Sequence, residues 1–352
     1  MRIAQVAPLY ESVPPKYYGG TERVVSYLTE ALVRQGHEVT LFASGDSETN
    51  ATLIPITPRS LRLDRGCIDQ LAHHVLMVQQ VADRITEFDV VHYHIDYLHF
   101  PLTRCQPHPH VTTLHGRLDL PDLTPLYNEF QDMPVVSISY NQRGPLPQAN
   151  WQATVYHGLP PALLRFQPHA GAYLAFIGRF SPEKGADRAI EIAKRANMPL
   201  KLAAKVDDVD REYFQRQLKP LLDHPLIEYV GEIGEREKED FLGNAYALLF
   251  PIDWPEPFGL VMIEAMACGT PVIAYRRGSV PEVMEDGRTG FVVENLDEAV
   301  QAVARVADFD RAACRRVFDR RFTDARMAAR YLRVYERVIG QFEERDAPAP
   351  AA

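Results

Sequence analysis

Cysteine is scarce and scattered. Cys67, Cys105, Cys268 and Cys314 stand far apart and form no CxxC pair. That excludes a disulfide framework and fits a reducing compartment, so a cytoplasmic location is expected. Long apolar runs are also missing. The longest candidate, 258–275, is interrupted by Glu264, Gly269 and Pro271, short of the ~20 apolar residues that span a bilayer. No transmembrane segment is expected. The first residues, Met1-Arg-Ile-Ala-Gln-Val, lack a signal-peptide pattern and read as a strand. There is no basic block, and the net charge is −9, which argues against nucleic acid as a main partner. The GxGxxG fingerprint of a nicotinamide site is absent, and so is HExxH. No DxD-type metal motif stands at a strand end, although Asp207-Asp208 keeps a metal reading open there. What remains is a globular composition, 46% hydrophobic and 24% charged, in 352 residues. That is room for two α/β domains.

The chain is organised around Pro251–Gly269, PIDWPEPFGLVMIEAMACG. The apolar run before it, Ala245–Phe250, suits a buried parallel strand. Pro257 suits the first position of a helix, so a helix is predicted over 258–268, capped by Gly269. Glu256 then lies beside helix amides at Phe258, Gly259 and Leu260, a site for an anion or a polyhydroxyl ligand. Glu264, about two turns on, can take the two hydroxyls of a ribose. An acidic first turn on a plain surface helix would use the same residues to complement the helix dipole. The residues alone leave both readings open.

The rest alternates strand and helix, which predicts doubly wound parallel sheets. Strands are expected over 2–7, 37–42, 89–94, 111–114, 134–138 and 154–156. In the second half they are expected over 173–178, 200–204, 227–230, 245–250, 271–274 and 290–293. Helices are expected over 21–35, 69–88, to about 197 after the first strand of that half, 208–222, 235–244, 296–306 and 324–342. Residues 43–64 read as loop with one short strand at most. Gly19-Gly20 before Thr21-Glu22 makes a turn that can approach a ligand, or a simple helix cap. The first half is rich in histidine, including His92, His94 and His115. His92 and His94 share a strand face, yet no further ligand spacing accompanies them, so packing is expected and no metal. His115 follows a buried strand and is held at the sheet's carboxyl edge. In GRFSPEKG, Arg179 and Lys184 bracket a short loop before a helix, a cradle for a diphosphate or a solvated basic loop.

Glu256 and Glu264 are separated by seven residues in EPFGLVMIE, and this resembles the Glu-x7-Glu signature of family 4 glycosyltransferases with the GT-B fold. The likeness continues through ACGTPVIA, GSVPEV and DGRTGFVV, and GRFSPEKG is similar to the family's Gly-Arg…Glu-Lys-Gly segment. The resemblance implies two Rossmann-like doubly wound parallel-sheet domains facing across a cleft. They are an acceptor-binding domain over 1–161, a linker over 162–172 and a nucleotide-sugar domain over 173–322. A helix over 323–343 returns to the first domain, and 344–352 is expected as a disordered tail.

It also implies a retaining transfer of a hexosyl group from a nucleotide-diphosphate sugar, with no cofactor and no metal required. Uridine diphosphate sugars come first, and guanosine or adenosine diphosphate sugars also fit. His115, Glu256, Arg179 and Lys184 would be catalytic. Gly19, Gly20, Arg179, Lys184, Glu256, Phe258, Gly259, Leu260 and Glu264 would bind the donor. Tyr18, Thr21, Glu22, His94 and Arg117 would bind a small-molecule or glycan acceptor. Residues 1–165 hold 12 Lys+Arg against 16 Asp+Glu, which favours a soluble acceptor over an anionic membrane. The oligomeric state is left open. An epimerase or phosphorylase on a related scaffold, or a non-catalytic nucleotide-sugar sensor, stays as the alternative.

Overall fold

The structure is a computed structural model that describes residues 1–16 and 19–346. Tyr18 and residues 347–352 lie outside the described residues. The described residues form two compact units, one of the residues up to 158 with 324–346, the other of 159–323.

The first unit contains β1 (Arg2–Val6), α1 (Gly20–Arg34), β2 (Glu38–Ser44), β3 (Thr52–Thr57), α2 (Gln70–Asp83), β4 (Val90–Tyr93) and α3 (Phe100–Cys105). It continues with β5 (His110–Thr113), α4 (Leu123–Glu129), β6 (Pro134–Ser137) and β7 (Asn150–Thr154). The second unit holds β8 (Tyr173–Arg179), α5 (Ala186–Ala196), β9 (Leu200–Lys205), α6 (Arg211–Tyr213), β10 (Ile227–Gly231), α7 (Glu235–Gly243) and β11 (Ala245–Phe250). After these come α8 (Leu260–Cys268), β12 (Val272–Tyr275), α9 (Val280–Val283), β13 (Gly290–Val293), α10 (Leu296–Arg305) and α11 (Arg311–Arg321). The last helix, α12 (Asp324–Asp346), returns to the first unit.

Both sheets are parallel throughout. Their orders are β3-β2-β1-β4-β5-β6-β7 and β10-β9-β8-β11-β12-β13. Each order reverses direction once, between β1 and β4 in the first sheet and between β8 and β11 in the second. Ligands of such sheets bind at the carboxyl ends of the strands flanking that reversal. Strands β4, β5 and β12 are buried on both faces; β12 is apolar throughout, while β4 and β5 each bury a histidine.

Several elements depart from the sequence reading. The last strand of the first sheet lies over 150–154 rather than 154–156, because an edge strand is only half-buried and NWQAT carries no apolar run. The helix predicted over 208–222 breaks into short turns around α6. Pro220 lacks the N–H and crowds the preceding turn. Helix α2 stops at Asp83, short of the predicted 88, and its apolar Leu71 and Val75 are exposed. Residues 159–172 pack with the second unit: Arg165 pairs with Glu239 at 2.5 Å and the Gln167 N–H donates to the Cys268 carbonyl at 2.9 Å. Helix α12 runs on to Asp346, into the stretch expected as a tail. Its Met327, Tyr331, Val334, Tyr335 and Val338 are buried. Burying each contributes about 1.5–3 kcal/mol.

Candidate active site

In the second unit the reversal lies between β8 and β11, and the two stretches marked in the sequence leave these strands side by side. Backbone contacts lock the loops together. The Asp253 N–H donates to the Glu183 carbonyl at 2.8 Å, and Arg188 Nε donates to the Pro251 carbonyl at 2.7 Å. A third segment, Gly278-Ser279, closes on the same loop. The Ser279 N–H donates to the Glu256 carbonyl at 3.0 Å and its hydroxyl to the Phe258 carbonyl at 2.9 Å. A Cβ on Gly278 would come within 2.3 Å of the Glu256 nitrogen, and its φ of +53° disfavours any other residue.

This scaffold brings Lys184, Trp254 and Glu256 together. Lys184 Nζ donates to Glu256 Oε2, and the Trp254 indole N–H donates to the same oxygen at 3.0 Å. Lys184 Nζ also lies 4.7 Å from the Trp254 ring centroid, a cation–π contact. Arg179 is held among carboxylates, with Glu183 at 2.6 Å, Asp210 at 3.2 Å and Asp207 at 3.8 Å. Crowding raises the Asp210 carboxyl: burial is the main cause, Arg179 opposes it, and Glu183 and Asp207 add to it. The buried Glu264 pairs with Lys238 of α7 at 2.7 Å. The sequence reading missed Lys238, since nothing marks one lysine in EREKED as facing α8. Trp254 was visible in the motif, but its bond to Glu256 was not.

Helix α8 starts at Leu260, two residues later than predicted. Gly259 takes φ 78° and ψ 70°, a left-handed conformation that cannot continue a helix from Phe258. Pro257 is therefore a loop residue. The Phe258 side chain turns into the core against Phe322, with ring centroids 6.2 Å apart. Phe258 thus presents backbone, not a ring, beside Glu256.

In the first unit the reversal lies between β1 and β4. Gly19 precedes α1, with Gly20 and Thr21 in its first turn. Its φ of 163° is ordinary extended backbone, but a Cβ would meet Pro15 Cβ at 2.8 Å. Glu22 is buried in the same turn. Burial pushes its carboxyl up to about 7, against its own backbone N–H and Arg23. Tyr10, raised first by burial, also senses Asp96 and Glu22. Asp96 is exposed as a residue, yet its carboxyl is crowded by protein and rises to about 6 through desolvation. The sequence reading missed Asp96, although it directly follows the β4 edge.

His94 and His115 meet at the carboxyl ends of β4 and β5, with His94 Nδ1 2.9 Å from His115 Nε2. The His157 ring stacks on His115 at 5.4 Å. Burial pushes His92, His94 and His157 well below the ordinary histidine value, and His115 down to about 3. His115 is partly exposed as a residue, but its Nδ1 is sealed from water and has no hydrogen-bond partner among the described residues. Arg117 turns away into a bidentate pair with Asp119, both bonds 2.7 Å. Among the described residues no group of three or more His, Cys, Asp or Glu side chains is placed to hold a metal ion.

Two doubly wound sheets, each gathering polar groups at its reversal, define the class: a two-domain GT-B fold. The solved structure of AviGT4, a glycosyltransferase involved in avilamycin A biosynthesis, matches with a TM-score of 0.76 and 25% identity, over 97% of this chain and 98% of that one. Residues 18–157 match the model of Glycosyltransferase Family 4, and residues 166–312 match that of Glycosyl transferases group 1. The chain belongs to glycosyltransferase family 4. The phosphatidyl-myo-inositol mannosyltransferase of Mycolicibacterium smegmatis is 26% identical over 97% of this chain and 95% of its own. An uncharacterized 41.2 kDa protein in the cps region of Klebsiella pneumoniae is 29% identical, and that match spans under half of either protein, 46% of each.

Proposed function

We propose that the chain is a retaining glycosyltransferase that moves a hexosyl group from a nucleotide-diphosphate sugar to a hydroxyl acceptor. One observation carries this: Lys184, Trp254 and Glu256 converge on two interlocked loops at the reversal of the second sheet. Departure of a diphosphate needs fixed positive charge where negative charge grows. Lys184, Arg179 and the amides at the start of α8 are assigned that task. Glu256 accepts hydroxyls of the sugar and Glu264 those of the ribose. In the first unit His115 is assigned to orient the sugar. Attack on the front face, with the departing phosphate taking the acceptor's proton, gives retention. A uridine diphosphate sugar is the first donor to try.

The acid excess of the first 165 residues favours a soluble acceptor. A lipid-linked acceptor is the second reading, favoured by the exposed Ile68, Leu71, Val75 and Leu76 on and before α2, with exposed Arg59 and Arg65 nearby in the chain. Such a face suits an anionic membrane surface, and one full-length relative is named for a phosphatidylinositol acceptor. Cosedimentation with phosphatidylglycerol vesicles, lost in Ile68→Ser with Leu71→Ser, would favour the lipid.

The central test is nucleotide-diphosphate release from a panel of sugar donors, alone and with pooled acceptors, beside thermal shifts with free nucleotides. Turnover of one donor, lost in Glu264→Ala and Arg179→Ala, is the expected result. If no nucleotide raises the melting temperature and no donor turns over, the reading fails. Product formation that requires inorganic phosphate would instead identify a phosphorylase.

A further inference from the structure

An unbroken chain of buried polar groups runs behind His115. His115 Nε2 meets His94 Nδ1 at 2.9 Å, and His94 Nε2 meets Gln5 Oε1 at 2.8 Å. Gln5 Nε2 donates to the Tyr335 hydroxyl at 3.0 Å, which lies 2.8 Å from His92 Nδ1. His92 Nε2 meets the Thr113 hydroxyl at 2.7 Å, and Thr113 meets the Tyr331 hydroxyl at 2.9 Å. Gln5, His92, Thr113, Tyr331 and Tyr335 are at most 1% exposed and His94 is 3% exposed. No carboxylate or guanidinium contacts any of them in these bonds, and burial leaves both histidines neutral.

We propose that Gln5 is a positioning residue for the sugar site: its amide, clamped by Tyr335 of α12, sets the tautomer of His94 and through it that of His115. This rests on the assignment of His115 to glycosyl transfer. The logic is one of donors and acceptors. The Gln5 carbonyl can only accept, so His94 Nε2 carries the proton. A neutral His94 then has a bare Nδ1, so His115 must donate from Nε2. His115 Nδ1 is left as a lone pair, closed from water in this structure and able to take a hydrogen bond from a hydroxyl only once that side of the ring is opened. On the other side the Tyr335 hydroxyl accepts from the Gln5 amide and donates to His92 Nδ1. His92 then donates from Nε2 to Thr113.

The whole chain turns on the amide. Were Gln5 reversed, every proton in it would shift, and His115 would present an unmet Nδ1–H instead of a base. The Tyr335 hydroxyl on α12 can donate or accept, so it does not choose the amide's orientation; it anchors the Gln5 amide and relays its orientation to His92. The terminal helix thereby reaches a residue at the carboxyl edge of β5 without touching it.

Histidine-selective nitrogen-15 NMR of the full chain tests this directly, since it reads which ring nitrogen carries the proton. The spectrum has 12 histidines, and His115→Asn and His94→Asn assign the two needed. The wild type is expected to show His115 protonated at Nε2 and bare at Nδ1. In Gln5→Leu and in Tyr335→Phe, His115 is expected as a mixture of the two tautomers. Tyr335→Phe keeps the ring that packs in the core and covers the case in which Gln5→Leu does not fold. In both variants donor turnover is expected to fall by about 10²-fold, with the nucleotide thermal shift unchanged. A wild-type His115 protonated at Nδ1, or a tautomer unmoved in the folded variants, overturns the proposal. The tautomer is read without substrate, so it stands or falls separately from donor turnover, whose absence would overturn the glycosyl-transfer reading alone.

Discussion

In the second unit Lys184 pairs with Glu256 and Lys238 with Glu264. His92, His94 and His115 in the first unit keep polarity and give up charge. Pairing, more than depth, explains the difference: Glu264 is 3% exposed, as buried as His94, yet Lys238 stands opposite it at 2.7 Å. The Lys184 and Glu256 side chains are 18% and 12% exposed, so water and ligand oxygens can reach them, whereas His92 is 0% exposed. An unpaired charge at that depth costs several kcal/mol, and a neutral imidazole costs little if both nitrogens are bonded. A departing diphosphate needs positive charge held in place, which only the paired groups of the second unit can supply.

Removing charge from the second unit should have the largest effect. Lys184→Ala is expected to lower donor turnover by ~10²–10³-fold, measured as nucleotide-diphosphate release at saturating donor. An unchanged rate would break the division of labour between the units.

The next effect concerns Glu22, the charge buried in the first unit. Its folded value, about 7, lies above the ordinary 4.5 because burial disfavours the ionised form. The native state then holds a proton that the unfolded chain releases, so this stability is complete below about 4.5 and is lost as pH rises towards 7. The loss is roughly 3 kcal/mol in total. His115 acts with the opposite sign. Its folded value, about 3, lies below the ordinary 6.5, so stability is complete above 6.5 and is lost as pH falls towards 3. Glu22→Gln should flatten the loss between pH 5 and 7.5 in urea unfolding. A slope equal to the wild type's would show that the carboxyl is not buried in solution.

Tyr335→Phe should cost ~1–3 kcal/mol, since it strips a partner from both Gln5 and His92. Equilibrium unfolding followed by tyrosine and tryptophan fluorescence measures it, and a neutral result would mean the buried chain is not needed for stability. The smallest expected effect is at Gly278→Ala, which pushes the Glu256 loop by its backbone. Nucleotide affinity should fall about tenfold, near 1.4 kcal/mol, with unchanged circular dichroism. Isothermal titration with the nucleotide diphosphate checks it.

Much of this was legible in the sequence. The bounds 245–250 and 290–293 match β11 and β13, because a short apolar run ended by Pro251 or opened by Gly290 is a local signal. The start of α8 was misread. Pro257 obeys a real preference for the first helical position, but Gly259 takes a left-handed turn, and the space that a Cβ would need there is filled by Met262 and by Phe250 of β11. Tyr331 and Tyr335, four residues apart, share one buried face of α12. Their rings do pack, yet their hydroxyls end in a network whose other members are on β1, β4 and β5. Leu71 and Val75 fit a helical stripe and are nonetheless exposed, because periodicity marks an apolar face without naming what covers it.

The sequence by itself determined the alternation of strand and helix, the two motif loops and their place at strand ends, because each depends on residues within a few positions of one another. Tertiary structure decided which partner every charge and every proton found. Lys184 and Glu256 are 72 residues apart, and Gln5 and Tyr335 are 330 apart. Hydrogen bonds and ion pairs act over about 3 Å, and only the folded sheets bring such residues within that range.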